Sequence, residues 1–143
     1  MTDLAELSKE SRVLEVGTGS GYQAAVLAEL AAEVYSIEII PDLARRAAGR
    51  LESLGYTILH TRLGDGYHGW PEQAPVDAIL VTAAAPEVPQ PLVGQLKPGG
   101  RLVIPVGHRD FGQELLVLRK SEDGAVSRRE ILPVVFVPLT GKH

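Results

Sequence analysis

Three glycines stand at alternate positions, Gly17, Gly19 and Gly21, in the stretch VLEVGTGSGYQ. Thr18 and Ser20 lie between them, Glu15 stands two residues ahead, and Tyr22 follows. Glycine lets a backbone come within contact distance of a ligand, because no Cβ stands in the way. Two further acids follow downstream: Glu38, 17 positions beyond Gly21, and Asp65 in the loop GDGYHGW. An acid roughly 20 residues after a glycine loop, at the end of the next strand, can accept hydroxyl hydrogens of a ribose. An acid one strand further out can accept from an exocyclic amine such as that of adenine. Jointly placed, these residues point to an adenosine-bearing ligand.

The spacing then separates the adenosine cofactors. A dinucleotide fingerprint reads G-x-G-x-x-G, whereas this loop reads G-x-G-x-G and puts Tyr22 at the third-glycine place. An NAD-dependent oxidoreductase would need the glycine that Tyr22 replaces. A carboxylate at Glu15 would repel a pyrophosphate and suit a ligand carrying an ammonium or sulfonium. No Gly-Lys-Ser/Thr follows, which excludes a P-loop. The electrostatics favour S-adenosyl-L-methionine.

Such a loop must be carried by strands and helices in alternation. The sequence predicts a short helical turn near Leu4–Leu7, a strand over 12–16, a helix over 21–32, and a strand over 33–38. Pro41 opens a further helix, where its missing N–H does no harm. Leu43, Ala47, Leu51 and Leu54 are expected to form its buried stripe, with Gly55 as the stop. A third strand is expected over 56–61, a Gly- and Pro-rich loop over 63–75, and a continuous apolar strand over 76–82. A short helix reaching Leu96, a KPGG turn over 97–100 and a strand over 101–106 come next. From Glu114 the pattern becomes an antiparallel terminal section. The expected fold class is α/β: a doubly wound, mostly parallel Rossmann-like sheet with helices on both faces. In such a sheet ligands bind beyond the carboxyl ends of the strands, where the glycine loop, Glu38 and Asp65 all fall.

Composition bounds the partners. The 143 residues suit one domain over 1–143, with 45% hydrophobic and 22% charged residues. Net charge is −4 and no basic run occurs, so nucleic acid is not the expected partner. Arg45, Arg46 and Arg50 recur at helical spacing and read as a solvated helix face. The absence of cysteine excludes disulfides, thiolate zinc and a cysteine nucleophile. The polar, acidic start MTDLAELSKE is neither a signal nor a transit peptide, and no apolar run approaches the roughly 20 residues of a membrane span. A cytoplasmic monomer that binds no membrane is the expectation. His60, His68, His108 and His143 lack metal-ligand spacing and read as strand-edge, loop, turn and tail residues. Trp70 reads as a hydrophobic lid over the third strand.

From Arg12 onward the chain resembles the protein-L-isoaspartate (D-aspartate) O-methyltransferases, repair enzymes among the class I methyltransferases. The matching segments are VLEVGTGSGYQAAVLAEL, VYSIE, LGDGYHGW, VDAILVTAAAPEVPQPLVGQLKPGGRLVIPVG and VFVPLT. GTGSG indicates only the class, whereas VTAAAPEVP followed by QLKPGGRLVIPVG is specific to the family. The resemblance implies methyl transfer from S-adenosyl-L-methionine to the free α-carboxylate of an L-isoaspartyl residue, with isoaspartyl peptides and proteins as partners. It implies that Glu38 holds the ribose, that Asp65 and Gly66 meet the adenine, and that Thr140 borders the cofactor. Ala84, Ala85 and Pro86 would then dock the substrate segment.

One departure is expected to matter. Members of the family carry a helical section ahead of the first strand, with a Ser/Thr motif that covers the cofactor. Here the first strand follows eleven residues, and Ser8 and Ser11 lie in no such motif. Cofactor binding with weak methylation, down to a binding module with little catalysis, is therefore the alternative expectation.

Overall fold

The run RVLEV forms the central strand β1 (Arg12–Val16), whose last four residues are buried on both faces. That double burial is why Val13, Leu14 and Val16 are apolar on both faces, with Glu15 the buried exception. β2 (Glu33–Glu38) pairs parallel with β1 on one side, and β4 (Val76–Val81) does so on the other. β3 (Leu59–Leu63) is the outer neighbour of β2. β5 (Leu96–His108) pairs parallel with β4. β6 (Gly112–Lys120) and β7 (Val126–Val134) then add antiparallel, giving the order β3-β2-β1-β4-β5-β6-β7 in one seven-stranded sheet. The structure, a computed structural model, describes residues 1–108 and 110–141, and His143 lies outside them.

The helices divide between the faces. α1 (Thr2–Ala5) and α2 (Tyr22–Leu30) cover the face carrying Val13, Val34, Leu80 and Val103. α3 (Pro41–Ser53) packs Ala47 and Leu51 against the start of α2 at Gly21. α4 (Gln90–Gly94) and the loop around Trp70 cover the other face, built on Leu14, Ile37, Ile79 and Leu102. The doubly wound sheet with an antiparallel end is as expected from the sequence.

Several boundaries differ from the sequence expectation. α1 spans Thr2–Ala5, ahead of the expected turn. β3 begins at Leu59 and ends at Leu63, because its register against β2 runs from Val34↔Leu59 to Glu38↔Leu63. KPGG is no separate turn: it lies inside β5, where the β4 pairing jumps from Leu96 to Arg101 across a bulge. Leu54 is 64% exposed, since it caps α3 and no longer faces the sheet. The 63–75 loop contains two single 3₁₀ turns, Gly66–His68 and Pro71–Gln73.

The polar outliers of the sequence have structural partners. His60 on edge strand β3 pairs with Glu33 at 2.9 Å and stacks on Tyr35. Trp70 meets the Tyr35 ring edge-on at 5.4 Å and lies under the Arg62 guanidinium, so it covers β2 as well as β3. His108 ends β5. Arg45, Arg46 and Arg50 are exposed, and Arg45 pairs with Asp42.

Candidate functional site

The order of strands reverses between β1 and β4, and that is where an open α/β sheet offers a crevice. A cavity of about 210 Å³ lies there, lined by Gly17 and Gly19 after β1, by Glu38 ending β2, and by Thr82 and Ala83 after β4. Gly66, Leu43 and the segment 137–140 complete its walls. It adjoins an open groove formed by Ile39, Ile40, Leu63, Asp65, His68, Thr140 and Gly141.

The glycine spacing has a backbone cause. Gly17, Gly19 and Gly21 have φ of +99°, +55° and +89°, a region that side chains disfavour. At Gly17 a Cβ would also collide with the Thr82 hydroxyl, which donates to the Val16 and Gly17 carbonyls at 3.1 and 2.8 Å. Gly21 caps α2, and Tyr22, the first helical residue, is 76% exposed. Ser20 is exposed, and its carbonyl accepts from Arg50 at 3.1 Å.

Two carboxylates support this loop in different ways. Glu38 is 6% exposed; its Oε1 accepts the Gly19 N–H at 2.8 Å and its Oε2 the Ile40 N–H at 3.1 Å. It therefore ties the loop to the end of β2 while lining the cavity. Glu15 is fully buried below the loop and does not line the cavity. Ser36 donates to Glu15 Oε1 at 2.6 Å, and the Ser36 and Thr18 hydroxyls are themselves 2.6 Å apart. Glu15 Oε2 has no partner among the described residues. Burial pushes the Glu15 carboxyl up to about 8, opposed by the Ser36 hydrogen bond and aided by the charge on Glu38. At neutral pH, with nothing bound, Glu15 is thus mostly protonated.

Asp65 and Gly66 stand at the groove and the cavity respectively. Asp65 Oδ1 accepts from Tyr67 N–H at 3.0 Å, and Gly141 packs directly against its carboxylate. Gly66 rests on the buried Val16 side chain with no space for a Cβ. We expect Gly66→Ala to lower stability by about 1–3 kcal/mol through overpacking, read as a lower Tm. An unchanged melting curve would contradict this contact.

Thr140 reaches the site because the tail after β7 folds back over the carboxyl edge. Gln113, buried in β6, accepts from Phe136 N–H at 2.6 Å and donates to its carbonyl at 3.1 Å. Val137 and Leu139 then pair with Ala84 at 2.7 and 2.8 Å. Ala85 is likewise bonded to Pro105 and Gly107, so Ala84 and Ala85 are buried with their backbones engaged. Pro86 is exposed beside them. Ser36, Thr82, Gln95 and Gln113 were not singled out in the sequence. Only their tertiary partners mark them, and no local spacing would have found them.

The family model "Protein-L-isoaspartate(D-aspartate) O-methyltransferase" matches residues 1–143. Protein-L-isoaspartate O-methyltransferase 1 of Nitrosospira multiformis and protein-L-isoaspartate O-methyltransferase 2 of Syntrophobacter fumaroxidans are each 62% identical over the whole chain. The chain spans 61% and 58% of the lengths of those two relatives. A solved protein-L-isoaspartate O-methyltransferase superposes with a TM-score of 0.90 at 32% identity, covering 98% of this chain and 45% of that one. A Plasmodium falciparum structure described as a protein-L-isoaspartate O-methyltransferase in complex with S-adenosyl-L-homocysteine gives 0.77 at 25% identity, covering 96% and 69%. With the glycine loop, the strand-end acids and the full-length family match in agreement, the chain belongs to the protein-L-isoaspartate (D-aspartate) O-methyltransferase family.

Proposed function

We propose that the cavity binds S-adenosyl-L-methionine and that the chain serves methyl transfer to the free α-carboxylate of L-isoaspartyl residues in damaged proteins. The observation that carries this reading is Glu38, a buried strand-end carboxylate that lines the cavity and is hydrogen-bonded to the left-handed glycine loop beside it.

The residues present fit the cofactor. Gly19 lines the cavity with open space where a Cβ would stand, and Glu15 Oε2 is a buried polar atom without a partner among the described residues beneath the loop. In this reading Glu38 accepts the ribose hydroxyls, and the adenine is met by Gly66 from the cavity and by Asp65 from the adjoining groove. Gly17, Thr18, Gly19, Ser20 and Gly21 form the methionine side, with Glu15 acting from below through Ser36 and Thr18. Thr140 borders the cofactor, and Ala84, Ala85 and Pro86 border the isoaspartyl segment. S-adenosyl-L-methionine supplies an electrophilic methyl group on a sulfonium. A carboxylate substrate, with a pKa near 4, is ionised at neutral pH and needs no general base. The chain's own task is then to orient that carboxylate and exclude water. No helix is long and apolar enough to cross a membrane among the described residues. A cytoplasmic monomer acting on isoaspartyl peptides and proteins, without nucleic acid or membrane, completes the proposal.

Calorimetry should give saturable, one-site binding of S-adenosyl-L-homocysteine to the folded chain. Folded protein without such binding would overturn the cofactor assignment. Binding without methyl-ester formation on an isoaspartyl peptide would instead favour a cofactor-binding module.

A further inference from the structure

We propose that Gln95 is a positioning residue for the adenine end of this site: its buried amide clamps residues 68–70 and thereby sets where Asp65 stands. The inference rests on the cofactor reading above.

Gln95 is 9% exposed, and both ends of its amide are used. Oε1 accepts the Trp70 N–H at 2.9 Å, and Nε2 donates to the His68 carbonyl at 2.8 Å. The residue is itself held at both backbone groups. Its carbonyl accepts from Val76 at the start of β4, and its N–H donates to Leu92 in α4. The clamp is therefore anchored on the sheet and a helix end, and the loop is the part being held.

The space between is closed. Gly69 lies across the amide with φ +65°, and a Cβ there would sit 2.7 Å from Nε2. A leucine at position 95 would fill a similar volume but remove the partners of the part-buried Trp70 N–H and His68 carbonyl, so nothing would fix the direction of the segment between them. The amide is thus matched to the loop by direction as well as by size.

Clamp and site are joined by a single turn of chain. Gly66–His68 is a single 3₁₀ turn with Asp65 at its N-cap and Gly69 at its C-cap. Its upper end rests on Val16 through Gly66, and its lower end is the segment Gln95 holds. A displacement at 68–70 is passed through one turn to Asp65, the proposed acceptor for the adenine amine.

The test compares S-adenosylhomocysteine with S-inosylhomocysteine, in which a carbonyl replaces that amine. Gln95→Leu removes both hydrogen bonds, whereas Gln95→Glu keeps acceptance from Trp70 and loses donation to His68. Wild type is expected to prefer the adenosine compound. Gln95→Leu should weaken that compound about tenfold with little change for the inosine compound, so the preference collapses. Gln95→Glu should fall between. Trp70, the single tryptophan, gives a ligand-free signal: its emission should become more open to acrylamide quenching in both variants. Equal weakening of both ligands, or unchanged affinities, would show that Gln95 is structural filling only. If Gln95→Leu does not fold, the same ratio in Gln95→Glu decides. Wild type that binds neither ligand sinks the cofactor reading and this inference together, whereas discrimination retained in the variants sinks the inference alone.

Discussion

Glu38→Ala should weaken cofactor binding severely while leaving a folded chain. The side chain has two roles that the alanine loses at once. As the proposed ribose acceptor, a charged hydrogen-bonding group is worth about 1.5–3 kcal/mol. As an anchor, it satisfies the Gly19 and Ile40 N–H groups, and Gly19 belongs to the cofactor loop itself. Loss of both should weaken S-adenosyl-L-homocysteine by about 100-fold or more, near 2.7 kcal/mol. Glu38→Gln separates the roles, because its amide carbonyl can still accept one backbone N–H while its NH₂ cannot accept a hydroxyl. A loss of about tenfold is expected there, with Tm closer to wild type. Calorimetry together with thermal melts checks both variants. Glu38→Ala protein that binds within threefold of wild type would remove Glu38 from the site.

Glu15→Gln should change how stability depends on pH. Burial raises the folded-state pKa of Glu15 from 4.5 to about 8. The unfolded chain therefore gives up this proton first as pH rises, and the folded state holds more protons between the two values. Stability from this group is fully present below about 4.5 and is lost as pH rises through 8, at about 1.4 kcal/mol per pH unit. Glutamine keeps an acceptor for Ser36 but cannot ionise. The stability of Glu15→Gln relative to wild type should thus climb steadily from pH 5 to pH 8, whatever the offset at pH 5. Denaturant unfolding across that range reads the slope. Parallel pH profiles for the two proteins would mean that Glu15 titrates near its ordinary value in the fold.

That titration revises the electrostatic reading of the sequence. A carboxylate two residues before the glycines suggested a group facing the ligand. Instead the β-strand alternation turns Glu15 below the loop, where it meets Ser36 and, through it, Thr18. Its influence on the loop passes through hydroxyl groups and not through direct exposure to the cavity.

The residues alone determined β1 and β2 to their observed ends, because both strands are covered on two faces and carry apolar residues on each, with Glu15 and Ser36 as buried polar exceptions that pair with each other. They also determined the loop after β1, since successive left-handed positions call for glycine at alternate places. The carboxyl-edge position of Glu38 followed from the strand it ends. Tertiary structure decided what depends on distant partners. β3 is an exposed edge strand, and its bounds come from the register against β2. The KPGG segment looked like a turn, yet pairing with β4 draws it into β5 across a bulge. Thr82, Gln95 and Gln113 act on segments 23 to 66 residues away in sequence. A polar side chain records no such partner in its neighbours, because only the folded sheet brings the two backbone segments within hydrogen-bond reach.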